Sequence, residues 1–143
     1  MPASGPPLST PDRPRIAVLI PCYNEEVAIP RVVAAFRAAL PDAEILVYDN
    51  NSKDRTAEVA RAAGATVRRE TLQGKGNVVR RMFADVEADV YVLVDGDDTY
   101  DASAAPEMVR LLLEERLDMV TGVRVTDIEK KGKQNRRVRI ALA

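Results

Sequence analysis

Five consecutive apolar residues, Val90-Tyr91-Val92-Leu93-Val94, run directly into Asp95-Gly96-Asp97-Asp98. An apolar run without alternation has no solvated side. It therefore reads as a strand covered on both faces, as in a parallel sheet with helices above and below. In open parallel sheets ligands bind beyond the carboxyl ends of the strands, so the acids that end this run stand at a ligand edge. Clustered carboxylates suit Mg²⁺ or Mn²⁺, hard cations that take one or two carboxylates and complete their shell with phosphate oxygens. Gly96 is expected to let the backbone turn closely between Asp95 and Asp97. The competing reading is a solvated acidic turn that ends a strand, since Asp and Gly are common turn residues.

The rest of the chain repeats the theme. Short Val/Ile-rich runs place strands near 15–20, 44–48, 65–69, 89–94 and 118–122. Between them Ile29, Val32, Val33, Phe36 and Leu40 recur at helical spacing, and Val78, Val79, Met82, Phe83 and Val86 do so again. A further helix is expected from Ser103, with Pro106 in its first turn, to about Leu117. Alternating strands and helices predict a doubly wound α/β fold with a mostly parallel sheet flanked by helices. At 143 residues and 46% hydrophobic composition the chain suits one domain with one core.

Five prolines within residues 1–14 mark an unpacked leader, which leaves a domain over 15–125 and a basic tail over 126–143. Cys22 is the single cysteine, so no internal disulfide forms. No N-terminal signal-peptide pattern and no apolar run near the roughly 20 residues of a membrane span occurs, which predicts a cytoplasmic setting. Residues 124–143 hold seven Lys/Arg against Asp127 and Glu129, a local balance of +5 in a chain of net charge −1. The cluster Lys130, Lys131, Lys133, Arg136, Arg137 and Arg139 suits anionic head groups or a lipid-linked phosphate at the cytoplasmic membrane face; the plainer reading is a solvated tail. No nucleic-acid partner is expected.

Three more polar clusters follow the first three strands and converge on the edge that carries Asp95 and Asp97. The first is Pro21-Cys22-Tyr23-Asn24-Glu25-Glu26, where Tyr23 offers a ring to a base and Glu25 a carboxylate to ribose or base donors. Asn24 is expected to cap the following helix. The second is Asp49-Asn50-Asn51-Ser52-Lys53-Asp54-Arg55-Thr56; Ser52 or Asp54 is expected to cap a helix, while Asp49 and Asn50 keep side chains free to read a nucleobase. The third, Gly74-Lys75-Gly76, opens a helix whose unpaired N–H groups, together with the Lys75 charge, suit phosphate or ribose oxygens. It matches neither the full phosphate-loop nor the full dinucleotide fingerprint, which argues against an ATPase or a dehydrogenase.

Taken in order, Ile-Pro-Cys-Tyr-Asn-Glu-Glu, Val-Tyr-Asp-Asn-Asn-Ser-Lys-Asp-Arg-Thr, Gly-Lys-Gly and Val-Asp-Gly-Asp-Asp resemble the nucleotide-sugar half of family-2 glycosyltransferases. The branch most resembled is that of polyprenyl-phosphate (dolichol-phosphate mannose synthase-like) enzymes. The resemblance covers roughly residues 15–125 and implies a Rossmann-like GT-A fold, C-terminally truncated, that binds a UDP- or GDP-sugar. It implies that Pro21, Tyr23 and Glu25 flank the base and ribose, that Asp49 and Asn50 read the base, and that Lys75 lies near the nucleotide. Asp95 and Asp97 match the family's Asp-x-Asp pair, which holds Mg²⁺ or Mn²⁺ against the diphosphate, with Asp98 an additional acid. Gly122-Val123-Arg124 resembles the family's Gly-x-Arg, which places Arg124 near the acceptor or diphosphate. A hexose transferred to a polyprenyl phosphate or another acceptor is the implied reaction. Apart from the resemblance, the basic stretch 130–139, with no completed interface helix to fold against, is expected to be mobile or to pair with another copy of the chain as a homodimer that covers exposed apolar surface.

Two departures stand out. The second acid of the family's usual Asp-Asp-Gly-Ser is Asn50 here, and an amide donates where a carboxylate only accepts, so UDP versus GDP stays open. The chain also stops at Ala143, where residues 136–143 read as the start of an interface helix; a donor-binding half without an acceptor-side base is expected. Two alternatives stand beside this reading. One is a nucleotide-binding module without transfer activity. The other is an aspartyl-phosphate phosphatase with Asp95 as nucleophile, because Asp95 to Thr99 also spells Asp-x-Asp-x-Thr.

Overall fold

A computed structural model of the protein describes residues 13–122 and 141–142. All five expected strands are present: β1 (Ile16–Cys22), β2 (Glu44–Asp49), β3 (Thr66–Arg69), β4 (Val90–Leu93) and β5 (Val120–Thr121). A sixth, β6 (Ala141–Leu142), was not expected. Helices α1 (Ile29–Ala39), α2 (Thr56–Ala62), α3 (Lys75–Asp85) and α4 (Ala105–Glu114) alternate with the strands, and a 3₁₀ turn over Ala102–Ala104 leads into α4. Residues 1–12, Arg124 and the basic cluster from Lys130 to Arg139 lie outside the described residues.

The sheet order is β3-β2-β1-β4-β6-β5. β1 pairs in parallel with β2 and β4, and β2 in parallel with β3, while β6 runs antiparallel to both β4 and β5. The expected helix over 136–143 is thereby corrected at its one described stretch. Ala141 and Leu142 pair with Leu93 and Val92 of β4, supplying partners to backbone groups that would otherwise form an open edge.

The strands that read as doubly covered are so covered, and unequally. Val18, Ile20, Val90, Val92 and Val94 point to one face, where they meet Ile29, Val32, Val33 and Phe36 of α1, Ala60 of α2, and Met108, Val109 and Leu112 of α4. Ala17, Leu19, Leu46 and Tyr48 point to the other, where Val78 and Met82 of α3 cover them. Period-2 alternation along each strand thus sorts the core into two clusters. α4 stops at Glu114 rather than near Leu117 because Arg116 enters the left-handed region, φ 52°, and the Leu117 N–H turns back to the Leu112 carbonyl at 2.9 Å.

One polar group anchors the thinner face. Tyr48 is fully buried, and its hydroxyl donates to Asp85 Oδ2 on α3 at 3.0 Å while Arg68 on β3 donates to it at 3.3 Å. Burial raises the Tyr48 hydroxyl above its usual range, so it remains a neutral donor. Tyr48→Phe should therefore cost about 1 kcal/mol, the usual net worth of such a bond, because Asp85 keeps Arg81 as a partner. Urea denaturation of the two proteins checks this through the shift in midpoint.

Candidate nucleotide and metal site

The carboxyl ends of β1, β2 and β4 open on a cavity of about 390 Å³. Pro21, Tyr23 and Glu25 line it from β1, Asn50 from β2, Lys75 and Val78 from α3, and Asp95, Gly96 and Asp97 from β4. Of the nucleotide- and metal-site candidates, Asp49 and Asp98 are not among the lining residues, and Arg124 lies outside the described ones.

The loops after β1 and β2 are clasped together. Asn24 N–H donates to Ser52 Oγ and Lys53 N–H donates to Asn24 Oδ1, both at 2.8 Å. Glu25 N–H donates to Thr56 Oγ1 at 2.8 Å, Glu26 N–H to Asp54 Oδ2 at 3.3 Å, and Arg55 N–H to Glu26 Oε2 at 3.2 Å. Asn24 is therefore not a helix cap: α1 starts five residues later, behind Ala28, and Asn24 sits at φ 52°, a backbone state that Asn tolerates. Of the two cap candidates for α2, Asp54 receives the Thr56 N–H at 2.9 Å, and Ser52 serves the clasp.

The expectation that Asp49 and Asn50 present free side chains is corrected. Asp49 is only 8% exposed and its Oδ1 accepts from Ser52 N–H at 3.2 Å, which closes its own turn. Asn50 uses its whole amide: Nδ2 donates to the Glu70 and Leu72 carbonyls at 2.9 Å, and Oδ1 accepts from Gly74 N–H at 2.9 Å and Gln73 Nε2 at 3.2 Å. The segment from Glu70 to Gly74 is thus moulded around one side chain. Gln73, which also lines the cavity, escaped the sequence reading; its place directly before Gly74-Lys75 was the available signal.

At the end of β4, Gly96 is needed for room rather than for turning. A Cβ there would lie 2.5 Å from Cys22 Sγ, and the left-handed turn falls on Asp98 instead, φ 61°. Asp97 is exposed, and its Oδ1 accepts from Thr99 Oγ1 at 2.6 Å and Thr99 N–H at 3.2 Å. Asp95 is held by two partners, Lys75 Nζ on Oδ1 and the Tyr100 hydroxyl on Oδ2 at 3.0 Å. Tyr100 also escaped the sequence reading, because nothing in its spacing from Asp95 signals the contact.

Negative charge dominates this cavity: Glu25, Asp95 and Asp97 line it against the single ammonium of Lys75. Burial raises the Glu25 carboxyl above its ordinary range, and Asp97, Asp54 and Asp95 push the same way. Burial, then Glu25, Asp49 and Asp95, hold the Cys22 thiol far above its ordinary range, so it stays protonated and is no nucleophile at neutral pH. Among the described residues no group of three or more His, Cys, Asp or Glu forms a complete metal cage. Asp95 and Asp97 offer two carboxylates at most, the donor set that fits Mg²⁺ or Mn²⁺ when a diphosphate and water supply the other oxygens.

Two outcomes follow. Asn50→Asp would aim a carboxylate oxygen at two carbonyls and lose both donated bonds, so it should destabilise the fold by about 2–3 kcal/mol, read in urea denaturation. The raised Glu25 carboxyl means that the folded chain holds this proton more tightly than the unfolded chain. Its contribution is full below 4.5 and is lost as pH rises through the raised value. Glu25→Gln should therefore flatten the fall in stability over that window, measured as melting temperature against pH without ligand.

Comparison with known proteins identifies the family and the fold. The sequence pattern described as Glycosyl transferase family 2 matches residues 17–141. Protein RfbJ of Shigella flexneri is 59% identical over 120 residues, which is 84% of this chain and 90% of RfbJ. The dolichyl-phosphate hexose transferase of Haloferax volcanii is 37% identical over 130 residues, 90% of this chain and 56% of that protein. Glucosyl-3-phosphoglycerate synthase of Mycobacterium tuberculosis, crystallised with Mn²⁺, UDP-glucose and phosphoglyceric acid, shares the fold with a TM-score of 0.62 at 27% identity. That likeness covers 71% of this chain and 40% of the synthase. The chain thus spans nearly all of RfbJ but 39% of the archaeal glycosyltransferase AglJ, a further relative, and 56% of the hexose transferase. A match to a glycosyltransferase family over residues 17–141 sets the phosphatase alternative aside. Its mostly parallel sheet, its helices on both faces and the match over most of its length agree: the chain belongs to glycosyl transferase family 2.

Proposed function

We propose that this chain binds a nucleoside-diphosphate hexose together with Mg²⁺ or Mn²⁺ and serves the transfer of the hexose to a polyprenyl phosphate or a similar anionic acceptor. The observation that carries the reading is the convergence of Tyr23, Lys75, Asp95 and Asp97, from three separate segments, on one cavity at the carboxyl edge of the sheet. Relatives support each component. UDP-glucose and Mn²⁺ are named in a complex of the M. tuberculosis synthase, and a dolichyl phosphate is named in the function of the H. volcanii relative.

Each side chain has a task in this reading. Tyr23, 47% exposed, stacks on the base, and Gln73 and Gly74 of the loop moulded around Asn50 line the same cavity. Glu25 faces ribose or base donors, and Lys75 lies beside the diphosphate. Asp95 and Asp97 would hold the cation, which when bound neutralises the diphosphate and eases departure of the nucleotide. Arg124, in a Gly122-Val123-Arg124 that resembles the family's Gly-x-Arg, serves the acceptor side or the diphosphate in this reading. A phosphate acceptor is already an anion at neutral pH, so no side chain needs to remove a proton from it. The contribution of the protein is then alignment and charge, not covalent chemistry. No helix among the described residues is long and apolar enough to cross a membrane. The basic segment from Lys130 to Arg139 is the feature that would bring the site to an anionic membrane face.

Calorimetry with UDP, GDP and ADP, with and without Mn²⁺, tests the proposal and chooses the base. Metal-dependent binding of UDP or GDP, with ADP much weaker, is the expected result. Asp97→Asn should abolish the metal dependence while leaving the fold intact. Tyr23→Ala should weaken binding by about 1–3 kcal/mol, the range for a base stacked on an aromatic ring. Equal affinity with and without metal in the parent protein would remove the metal from the proposal.

A further inference from the structure

The two acids of the Asp-x-Asp pair are not in equivalent states. Asp95 has both carboxylate oxygens engaged, one by the Lys75 ammonium and one by the Tyr100 hydroxyl. Asp97 has Oδ1 engaged by Thr99 and stands exposed at the cavity. A cation reaching both acids meets Asp97 directly but has to compete with Lys75 for Asp95. The site is built for that exchange. Lys75 is the first residue of α3, on a flexible four-carbon stem, and the Cβ position of the neighbouring Gly76 has open space around it. The side chains of Lys75 and Asp95 are 60% and 32% exposed, so solvent screens the pair and it breaks at small cost.

We propose that Lys75 is a placeholder for the metal: without nucleotide its ammonium neutralises Asp95, and with metal and nucleotide it leaves Asp95 to the cation and moves to the diphosphate. This inference rests on the metal-dependent reading above and adds to it a specific exchange of partners. Charge balance motivates the exchange. Three lining carboxylates and one ammonium leave the cavity net negative, which would repel a diphosphate arriving alone. A cation on Asp95 and Asp97 removes that repulsion, and the released ammonium adds a second positive contact on the same ligand. Tyr100 keeps its bond to Asp95 Oδ2 throughout and acts as a positioning residue, so the carboxylate does not swing away when Lys75 departs.

The exchange predicts effects of opposite sign from one substitution. In Lys75→Met, Mn²⁺ alone, followed by the electron paramagnetic resonance of the free ion, should bind up to roughly fivefold more tightly than to the parent, because its competitor for Asp95 is gone. In the same variant UDP or GDP at saturating Mn²⁺ should bind several-fold more weakly, because the diphosphate has lost its ammonium. Lys75→Arg, which keeps the charge, should hold the parent's Mn²⁺ affinity. A purely structural lysine would weaken both ligands or neither. Unchanged or weaker Mn²⁺ binding in Lys75→Met, or no Mn²⁺ binding to either protein, overturns the placeholder. Mn²⁺-independent nucleotide binding by the parent overturns the metal-dependent reading itself, so the two failures are distinguishable.

Discussion

The reciprocal clasp between the loops after β1 and β2 is the constraint on which the site depends. Five hydrogen bonds cross it in both directions, each from a main-chain N–H of one loop to a side-chain oxygen of the other. A parallel sheet leaves the carboxyl ends of neighbouring strands side by side, but nothing in the ladder fixes the loops beyond them. Here Asn24, Glu26, Ser52, Asp54 and Thr56 do so, and Tyr23 and Glu25 are held at the cavity as a result. Many of the polar residues that make the first two motifs conspicuous are thus scaffold. Their chemistry is spent on main-chain donors that would otherwise be unpaired at the ends of two strands.

Asn50 extends the same economy to the third strand. One amide satisfies two carbonyls and two donors, and it ties β2 to the turn that opens α3. Glu25, Lys75, Asp95 and Asp97 line the cavity, where like charges stand close and burial raises Glu25, while Asp49, Asp54 and Glu26 serve the scaffold.

The fold was largely legible because β1, β2 and β4 are largely apolar runs of the length a doubly covered sheet requires, and because α1 and α3 carry unbroken helical stripes. The end of α4 was not, since Arg116 in the left-handed region has no marker in its side chain. β6 was not either: two residues carry no periodicity, and their pairing with β4 is set by an open ladder 48 residues earlier in the chain, at Leu93 and Ala141. Of the candidates named from residue type and order, Tyr23, Glu25, Lys75, Asp95 and Asp97 line one cavity. The role of Asn50 was misjudged because a strand-end amide looks the same whether it faces a ligand or a neighbouring loop. Only the path of residues 70–74 decides between them.

The late arrival of β6 bears on how the sheet is assembled. Among the described residues β5 is joined to the sheet through β6 alone, although it precedes β6 by some twenty residues. During synthesis β1 to β4 with their helices can collapse as each emerges, whereas β5 has no ladder to join until residues 141–142 leave the ribosome. The strand that delivers Asp95 and Asp97 therefore spends that interval with one backbone edge unpaired. A nascent chain in this state has its first three motifs aligned and its acidic motif still unclamped on one side. During that interval the β4 edge is open to pairing with another chain.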